Sequence, residues 1–358
     1  MRKIKGYFKA IEFSSFDLKG FWIGFLAIFF MVSVQHIGIR LPKSFSLSQE
    51  KVSYKSENLI ETIKPKLLKN VNQFKLKQKE VVLPYQISDV SYPETLSYLV
   101  VNYDTGEVLS GRKISKKVPI ASLTKIMTAI VALDLASPTD VFEVSRNAAD
   151  QIPTKIGVVP GQKMTLEELL NASLLTSAND ATEVIKEELN KRYGENIFIK
   201  SMNEKAKILG LSNTHFANPQ GFDSKENFSS AEDLAVLSHY ALTYPLFAKI
   251  VKKDYQFLEA DSNHKQFNLY NWNGLLNVYP GIEGVKIGNS RDAGTTMVTL
   301  SQREDRRIMV VLLGTSDIFE RDLLSARLLD LGFAKYGIKS FNLNSQKLLA
   351  KYLTWKQY

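Results

Sequence analysis

Gly294–Ser301 reads GTTMVTLS and Arg307–Gly314 reads RIMVVLLG, with the charged turn Arg303–Arg306 between them. Both runs are short, rich in β-branched residues and bounded by turn formers, which is the pattern of two strands joined as a hairpin. Gly284–Gly288 (GVKIG) lies just upstream, set off by Asn289–Ala293, and reads as a third strand. Far upstream, Leu96–Tyr103 (LSYLVVNY) is again β-rich, Asp104-Thr105-Gly106 is a turn, and Glu107–Arg112 continues as a strand. Between these two groups the spacing is helical. Ile126 to Leu135 is strongly apolar, Thr165-Leu166-Glu167-Glu168 is a capping box opening a helix to about Leu175, and Asp180–Arg192 is a further helix. Ala231–Tyr240 follows with Ser229 or Ser230 as cap, and Ile318–Phe333 closes the chain's main body. The expectation is an α+β fold: an antiparallel β-sheet built from N- and C-terminal segments, flanked by helices, with an all-helical insertion.

The chain has 358 residues, 44% of them hydrophobic, enough for one large domain or two average ones. It has no cysteine, so disulfides and thiolate chemistry are excluded. His36, His215, His239 and His264 are scattered without metal-ligand spacing, and no Walker loop or dinucleotide fingerprint occurs. No metal or cofactor is expected. The net charge is +9, but no nucleic-acid reading module accompanies it. A dense patch at Lys64, Lys66, Lys69, Lys75, Lys77 and Lys79 reads as a solvated linker, with anionic headgroups or a wall polyanion as the alternative partners.

Gly20–Val34 (GFWIGFLAIFFMVSV) is an uninterrupted apolar run that Ile37–Leu41 extends weakly. A spanning helix needs about 20 residues, which Gly20–Ile39 supplies. Arg2, Lys3, Lys5, Lys9 and Lys19 precede it, placing the N-terminus in the cytoplasm and the bulk of the chain outside it. The alternative is a cleaved signal peptide, against which stand the long leading polar stretch and the lack of a small-x-small site after Val34.

Three short motifs carry the chemistry. In Ser122-Leu123-Thr124-Lys125 a serine and a lysine fall one helical turn apart, so Lys125 reaches Ser122. Serine needs a neighbouring base to become a nucleophile, and a buried lysine loses its proton readily enough to serve. Ser-x-x-Lys also occurs at Ser48, Ser110 and Ser262, but only the copy at Ser122 leads a helix-period apolar run. The plain alternative is a capping serine on a core helix. Ser177-Ala178-Asn179 falls between a helix end and a helix start, where a hydroxyl passes protons and an amide holds a substrate amide, or where both simply cap. Lys286-Ile287-Gly288 puts a lysine on a late strand, suited to a carboxylate or an oxyanion, with Gly288 permitting close backbone approach.

The order Ser-x-x-Lys, Ser-x-Asn, Lys-x-Gly matches the set of penicillin-binding proteins and class A β-lactamases. From about Tyr98 to Tyr336 the chain resembles the D-alanyl-D-alanine carboxypeptidases, the low-molecular-mass penicillin-binding proteins. Pro119–Lys125 (PIASLTK), Leu174–Ala181 (LLTSANDA), His215–Gly221 (HFANPQG), Asn271–Leu276 (NWNGLL) and Gly281–Gly288 (GIEGVKIG) are similar to the family's segments, in its order. The resemblance implies a β-lactamase/transpeptidase-like catalytic domain over residues 92–338. Before it come a cytoplasmic tail (1–19), an anchor (20–39) and a juxtamembrane linker (40–91); a C-terminal tail (339–358) follows. It implies a serine peptidase acting on peptidoglycan stem peptides, covalently inhibited by β-lactams. Ser122 would be the nucleophile, Lys125 the base and Ser177 a proton relay. Asn179 would orient the acyl peptide, Lys286 would anchor charge on the substrate terminus or support the relay, and the N–H groups of Ser122 and Asn289 would form the oxyanion hole. His215 is expected to support a turn.

The family usually has Thr or Ser where this chain has Ile287. A lost charge-assisted hydrogen bond of roughly 1.5–3 kcal/mol corresponds to about one to two decades in rate or affinity, unless Ser290, Thr295 or Thr296 substitutes. A class A β-lactamase would need its Glu-x-x-Leu-Asn loop after Ser177, whereas Glu167–Asn171 precedes it. A D,D-endopeptidase shares the whole constellation. A non-catalytic peptidoglycan-binding protein is the reading that Ile287 motivates.

Overall fold

The computed structural model describes residues 59–68, 74–77 and 97–355. The expected anchor Gly20–Ile39 lies outside the described residues. Among the described residues, no single helix is long and apolar enough to cross a membrane.

A five-stranded sheet has the spatial order Val108–Arg112, Ser97–Asn102, Arg306–Thr315, Gly294–Arg303, Ile282–Ser290. Every neighbouring pair is antiparallel. The first and last parts of the domain thus meet at the sheet centre, where Val100 pairs with Val310 and Val311 with Val298. The central strands are apolar on both faces because both faces are covered. Leu99, Val101, Val298, Met309 and Val311 face the larger core under the helices. Their alternates Tyr98, Val100, Met297, Val310 and Leu312 face a second core. That second core is capped by the closing helix Ile318–Ala334, started by Asp317, whose carboxylate accepts from the Glu320 amide.

The insertion lies between the second strand and Ile282. Its central helix, Thr124–Leu135, is buried almost all round, as a helix apolar on every side must be. Around it pack Asn179–Tyr193, Ile197–Ile208 and Ala231–Ala241, while Pro245–Val251 packs on the strand Ile282–Ser290 and on the stretch 166–176. The Thr165–Glu168 capping box is formed in full, and Ser230 caps Ala231–Ala241. The helix expected to run to about Leu175 is α-helical only over Leu166–Asn171 and then widens into a π turn, Ala172–Thr176.

Two segments read as linker and tail belong to the folded body. The helical stretch 59–67 buries Ile63 and Leu67 in the larger core. The C-terminal helix Ser345–Trp355 buries Leu348, and its Tyr352 hydroxyl donates to Asp322 at 2.7 Å. Both are amphipathic and marginal alone, so only their docking surfaces decide them.

Candidate active site

Ser122 sits in a tight turn, Ala121–Leu123, that leads into the central helix at Thr124. The turn follows the short strand Val118–Pro119, which pairs with Phe228–Ser229. Ala121 is held at φ 48°, a left-handed conformation that costs a non-glycine residue about 1–2 kcal/mol. Neither the turn nor the helix has a side-chain cap, so Ser122 is not a capping serine. Two glycines make room for its backbone. A Cβ on Gly221 would lie 2.9 Å from the Ser122 amide nitrogen, and one on Gly288 would lie 3.0 Å from it. The turn is fixed to the sheet by Thr296, whose hydroxyl donates to the Ile120 carbonyl at 3.2 Å.

Lys125 is fully buried on the first turn of the helix. Its Nζ contacts Ser122 Oγ at 3.1 Å, Asn179 Oδ1 at 2.8 Å and the Gln220 carbonyl at 2.6 Å. No carboxylate is among these partners. Burial, and behind it the positive charge of Lys286, holds the ammonium well below its usual range, against a smaller opposing pull from Asp180. A neutral amine has two N–H donors and one lone pair. The charged form donates to all three oxygens; in the neutral form the Asn179 and Gln220 oxygens take the two donors and the lone pair is left to accept from the Ser122 hydroxyl.

Asn179 opens its helix beyond the π turn, and π turns are frequent at functional sites. Its Oδ1 faces Lys125, and its Nδ2 donates to the Ile152 carbonyl at 3.1 Å, so the amide expected to hold substrate also holds the lysine. Ser177 ends the π turn at φ 62° and is 6% exposed. Among the described residues, no hydrogen bond joins it to Ser122, Lys125 or Lys286.

Lys286, Gly288 and Asn289 lie on the edge strand Ile282–Ser290. Lys286 is 2% exposed, and its Nζ donates to the Ile287 carbonyl at 3.1 Å. Burial, with the nearby charge of Arg321 second, pushes it down to about 7. Asn289 is exposed at the next position after the Gly288 contact. Ile287, half-buried, pairs with Met297 and packs on the second core. None of its proposed substitutes is a spare hydroxyl. Thr296 is bound to Ile120, Thr295 to the Asp317 carbonyl at 2.9 Å, and Ser290 to Asp223 at 2.5 Å. His215 bonds the Glu226 carbonyl at 2.6 Å, as a turn support does.

Three groups at the site were not singled out from sequence. Gln220 contributes its carbonyl to Lys125 and is itself held by Glu183 at 2.5 Å through its side chain. Asp180 is buried and accepts from the amides of Ile156, Gly157 and Val158, fixing the loop that carries Ile152. Gln220 and Asp180 fall in the segments His215–Gly221 and Leu174–Ala181, whose family resemblance gave neither of them a role.

A serine hydroxyl within hydrogen-bond reach of a buried lysine that has no carboxylate partner among the described residues, near a strand carrying a second buried lysine, is an arrangement that can support acyl transfer of the serine–lysine kind. The chain belongs to the peptidase S11 family, D-alanyl-D-alanine carboxypeptidase, whose model matches residues 88–317. It is 32% identical to the D-alanyl-D-alanine carboxypeptidase DacF of Bacillus subtilis over 68% of this chain and 63% of that protein. It thus spans less than two thirds of that relative's length. It is 33% identical to a D-alanyl-D-alanine endopeptidase of Pseudomonas aeruginosa, over 56% of this chain and 65% of the relative. The solved D-alanyl-D-alanine carboxypeptidase of Mycobacterium tuberculosis superposes with a TM-score of 0.61 at 30% identity, covering 69% of this chain and 95% of that one.

Proposed function

We propose that this protein is a serine D-alanyl-D-alanine carboxypeptidase that removes the terminal D-alanine from peptidoglycan stem peptides. The observation that carries the reading is the setting of Lys125, whose Nζ lies 3.1 Å from Ser122 Oγ while the Asn179 and Gln220 oxygens stand ready to hold its two N–H groups once it is neutral. Ser122 Oγ passes its proton to Lys125 and attacks the carbonyl carbon of the penultimate D-alanine. The oxygen of the tetrahedral intermediate is received by the amides of Ser122 and Asn289. The C–N bond then breaks, and the leaving amine takes, through Ser177, the proton that Lys125 received. Water attacks the ester carbonyl and gives a proton to Lys125, which returns it to Ser122 Oγ as the ester bond breaks and the shortened peptide leaves. Lys286 offers the cation for the substrate carboxylate. β-Lactams would acylate the same oxygen.

The test is release of free D-alanine from a muropeptide pentapeptide. Ser122→Ala should abolish both this and labelling by a fluorescent penicillin, and an unreactive, unlabelled wild type would overturn the reading in favour of a binding protein. The second reading, a D,D-endopeptidase, is favoured by the Pseudomonas aeruginosa relative and is separated by offering a cross-linked dimer beside the linear pentapeptide. Residues 20–39 would anchor the enzyme with its catalytic domain outside the cytoplasm. A chain lacking residues 1–41 should stay soluble without detergent, and its pelleting with membranes would contradict the anchor.

A further inference from the structure

A second cleft, of about 670 Å³, opens beside the hairpin of the strands Tyr255–Leu258 and Phe267–Tyr270, away from Ser122. Tyr255, Tyr270 and Trp355 supply aromatic surface to it, and Asp254, Asn268 and Lys351 supply polar groups. Tyr255 and Tyr270 are cross-strand partners with ring centroids 4.9 Å apart, tilted by 36°. Trp355 is fixed by Tyr352, stacked at 4.8 Å, and by Trp272, edge-on at 5.4 Å.

The polar groups are fixed as firmly. Lys351 holds both oxygens of Asp254, at 2.6 and 2.8 Å, and Asn268 Oδ1 accepts from the Tyr255 hydroxyl at 2.7 Å. That leaves the Asn268 amide nitrogen as a donor. Tyr255 is 43% exposed, so its ring costs little to cover.

We propose that this cleft binds an amino-sugar residue of the glycan from which the stem peptide hangs, a reading that rests on the proposed substrate. Pyranose rings carry flat C–H faces that pack on aromatic rings, and equatorial hydroxyl and acetamido groups that pair with carboxylate, amide and ammonium. The cleft holds both kinds of surface at fixed spacing, and its volume falls in the range of small-ligand sites. The cleft is also tied to the reaction centre. The Tyr270 carbonyl accepts from Thr176 at 3.5 Å, and Thr176 immediately precedes Ser177. On this proposal one substrate molecule brings its peptide to Ser122 while a sugar rests on the hairpin.

The full chain is assayed with a pentapeptide and with the same pentapeptide carrying its disaccharide. The disaccharide form should show kcat/KM about tenfold higher, through KM, as expected for one well-packed aromatic contact. Tyr255→Ala and Asn268→Ala should each bring that ratio towards one. Equal kcat/KM for the two substrates in the wild type, or a ratio untouched by both variants, overturns the proposal. Binding is read separately with N,N′-diacetylchitobiose by tryptophan fluorescence on the Ser122→Ala protein. Saturable quenching that Tyr255→Ala removes supports the sugar site even if neither pentapeptide is hydrolysed, a result that would instead sink the carboxypeptidase reading. No quenching by the disaccharide overturns the sugar site alone.

Discussion

Gly288 on the edge strand lies against Ser122: a Cβ there would stand 3.0 Å from the Ser122 amide nitrogen, 2.5 Å from Thr296 Oγ1 and 3.1 Å from Ala121 Cβ. None of these neighbours is a flexible side-chain end, so the strand must move away from the serine turn if a methyl is added. Gly288→Ala should lower the rate of acylation by a labelled penicillin about 100-fold, because a displaced oxyanion donor costs that much. It should destabilise by only about 1–3 kcal/mol, as overpacking does. Unchanged acylation would refute the contact's role.

Lys125 depends on its two oxygen partners. Asn179→Ala removes one, freeing the amine to turn its lone pair from Ser122, and should slow acylation roughly 10- to 100-fold while leaving full labelling at long times. Asn179→Asp sets a carboxylate at 2.8 Å reach instead. A neighbouring anion raises a lysine's pKa, so this variant's activity should recover as pH rises, where that of Asn179→Ala does not.

The pH profile follows from the two lysines. Lys125 acts as a base when neutral, so activity rises with pH, on an acid limb set far below the usual lysine range by burial and Lys286. Lys286 binds a carboxylate when charged, and its pKa is about 7, so kcat/KM should fall above neutral pH. In Lys286→Ala the alkaline limb should vanish along with most of the rate; its persistence would assign the limb elsewhere.

Lys286 also costs stability. Its folded pKa lies below the unfolded value, so the unfolded state binds more protons between about 7 and 10.5 and stability rises across that window. Lys286→Met should therefore raise the unfolding midpoint by about 5 °C at pH 6, and the gap to wild type should narrow towards pH 10. A lower midpoint at pH 6 would show that the lysine's contacts outweigh its desolvation.

Ile287 faces the second core on an edge strand, where an extended peptide paired alongside meets side chains of both faces. With Ser290, Thr295 and Thr296 otherwise engaged, Ile287→Thr should raise kcat/KM on D-alanyl-D-alanine substrates about tenfold. Equal rates would show that no hydroxyl is missed at this position.

The parts of this fold that local chemistry dictates were legible. The Thr165–Glu168 capping box, the Ser230 cap and the paired runs at 294–301 and 307–314 form as their residues require. The Lys125–Ser122 contact is one helical turn long, so spacing alone foretold it. The π turn before Ser177 was not legible, because the pattern of Leu174 and Leu175 suits an α-helix equally well. Nor was the Gln220 carbonyl on Lys125, since every residue has a carbonyl and only the folded loop aims this one.

The order of residues alone foretold the Ser122–Lys125 contact and the hairpin of 294–301 with 307–314, since both depend on neighbours a few positions apart. Tertiary packing alone lowered the pKa values of Lys125 and Lys286, through removal from water first and then a neighbouring cation, Lys286 beside the one and Arg321 beside the other. It also decided that the stretches 59–67 and 345–355 join the body, because a short amphipathic helix persists only where a complementary apolar surface receives it.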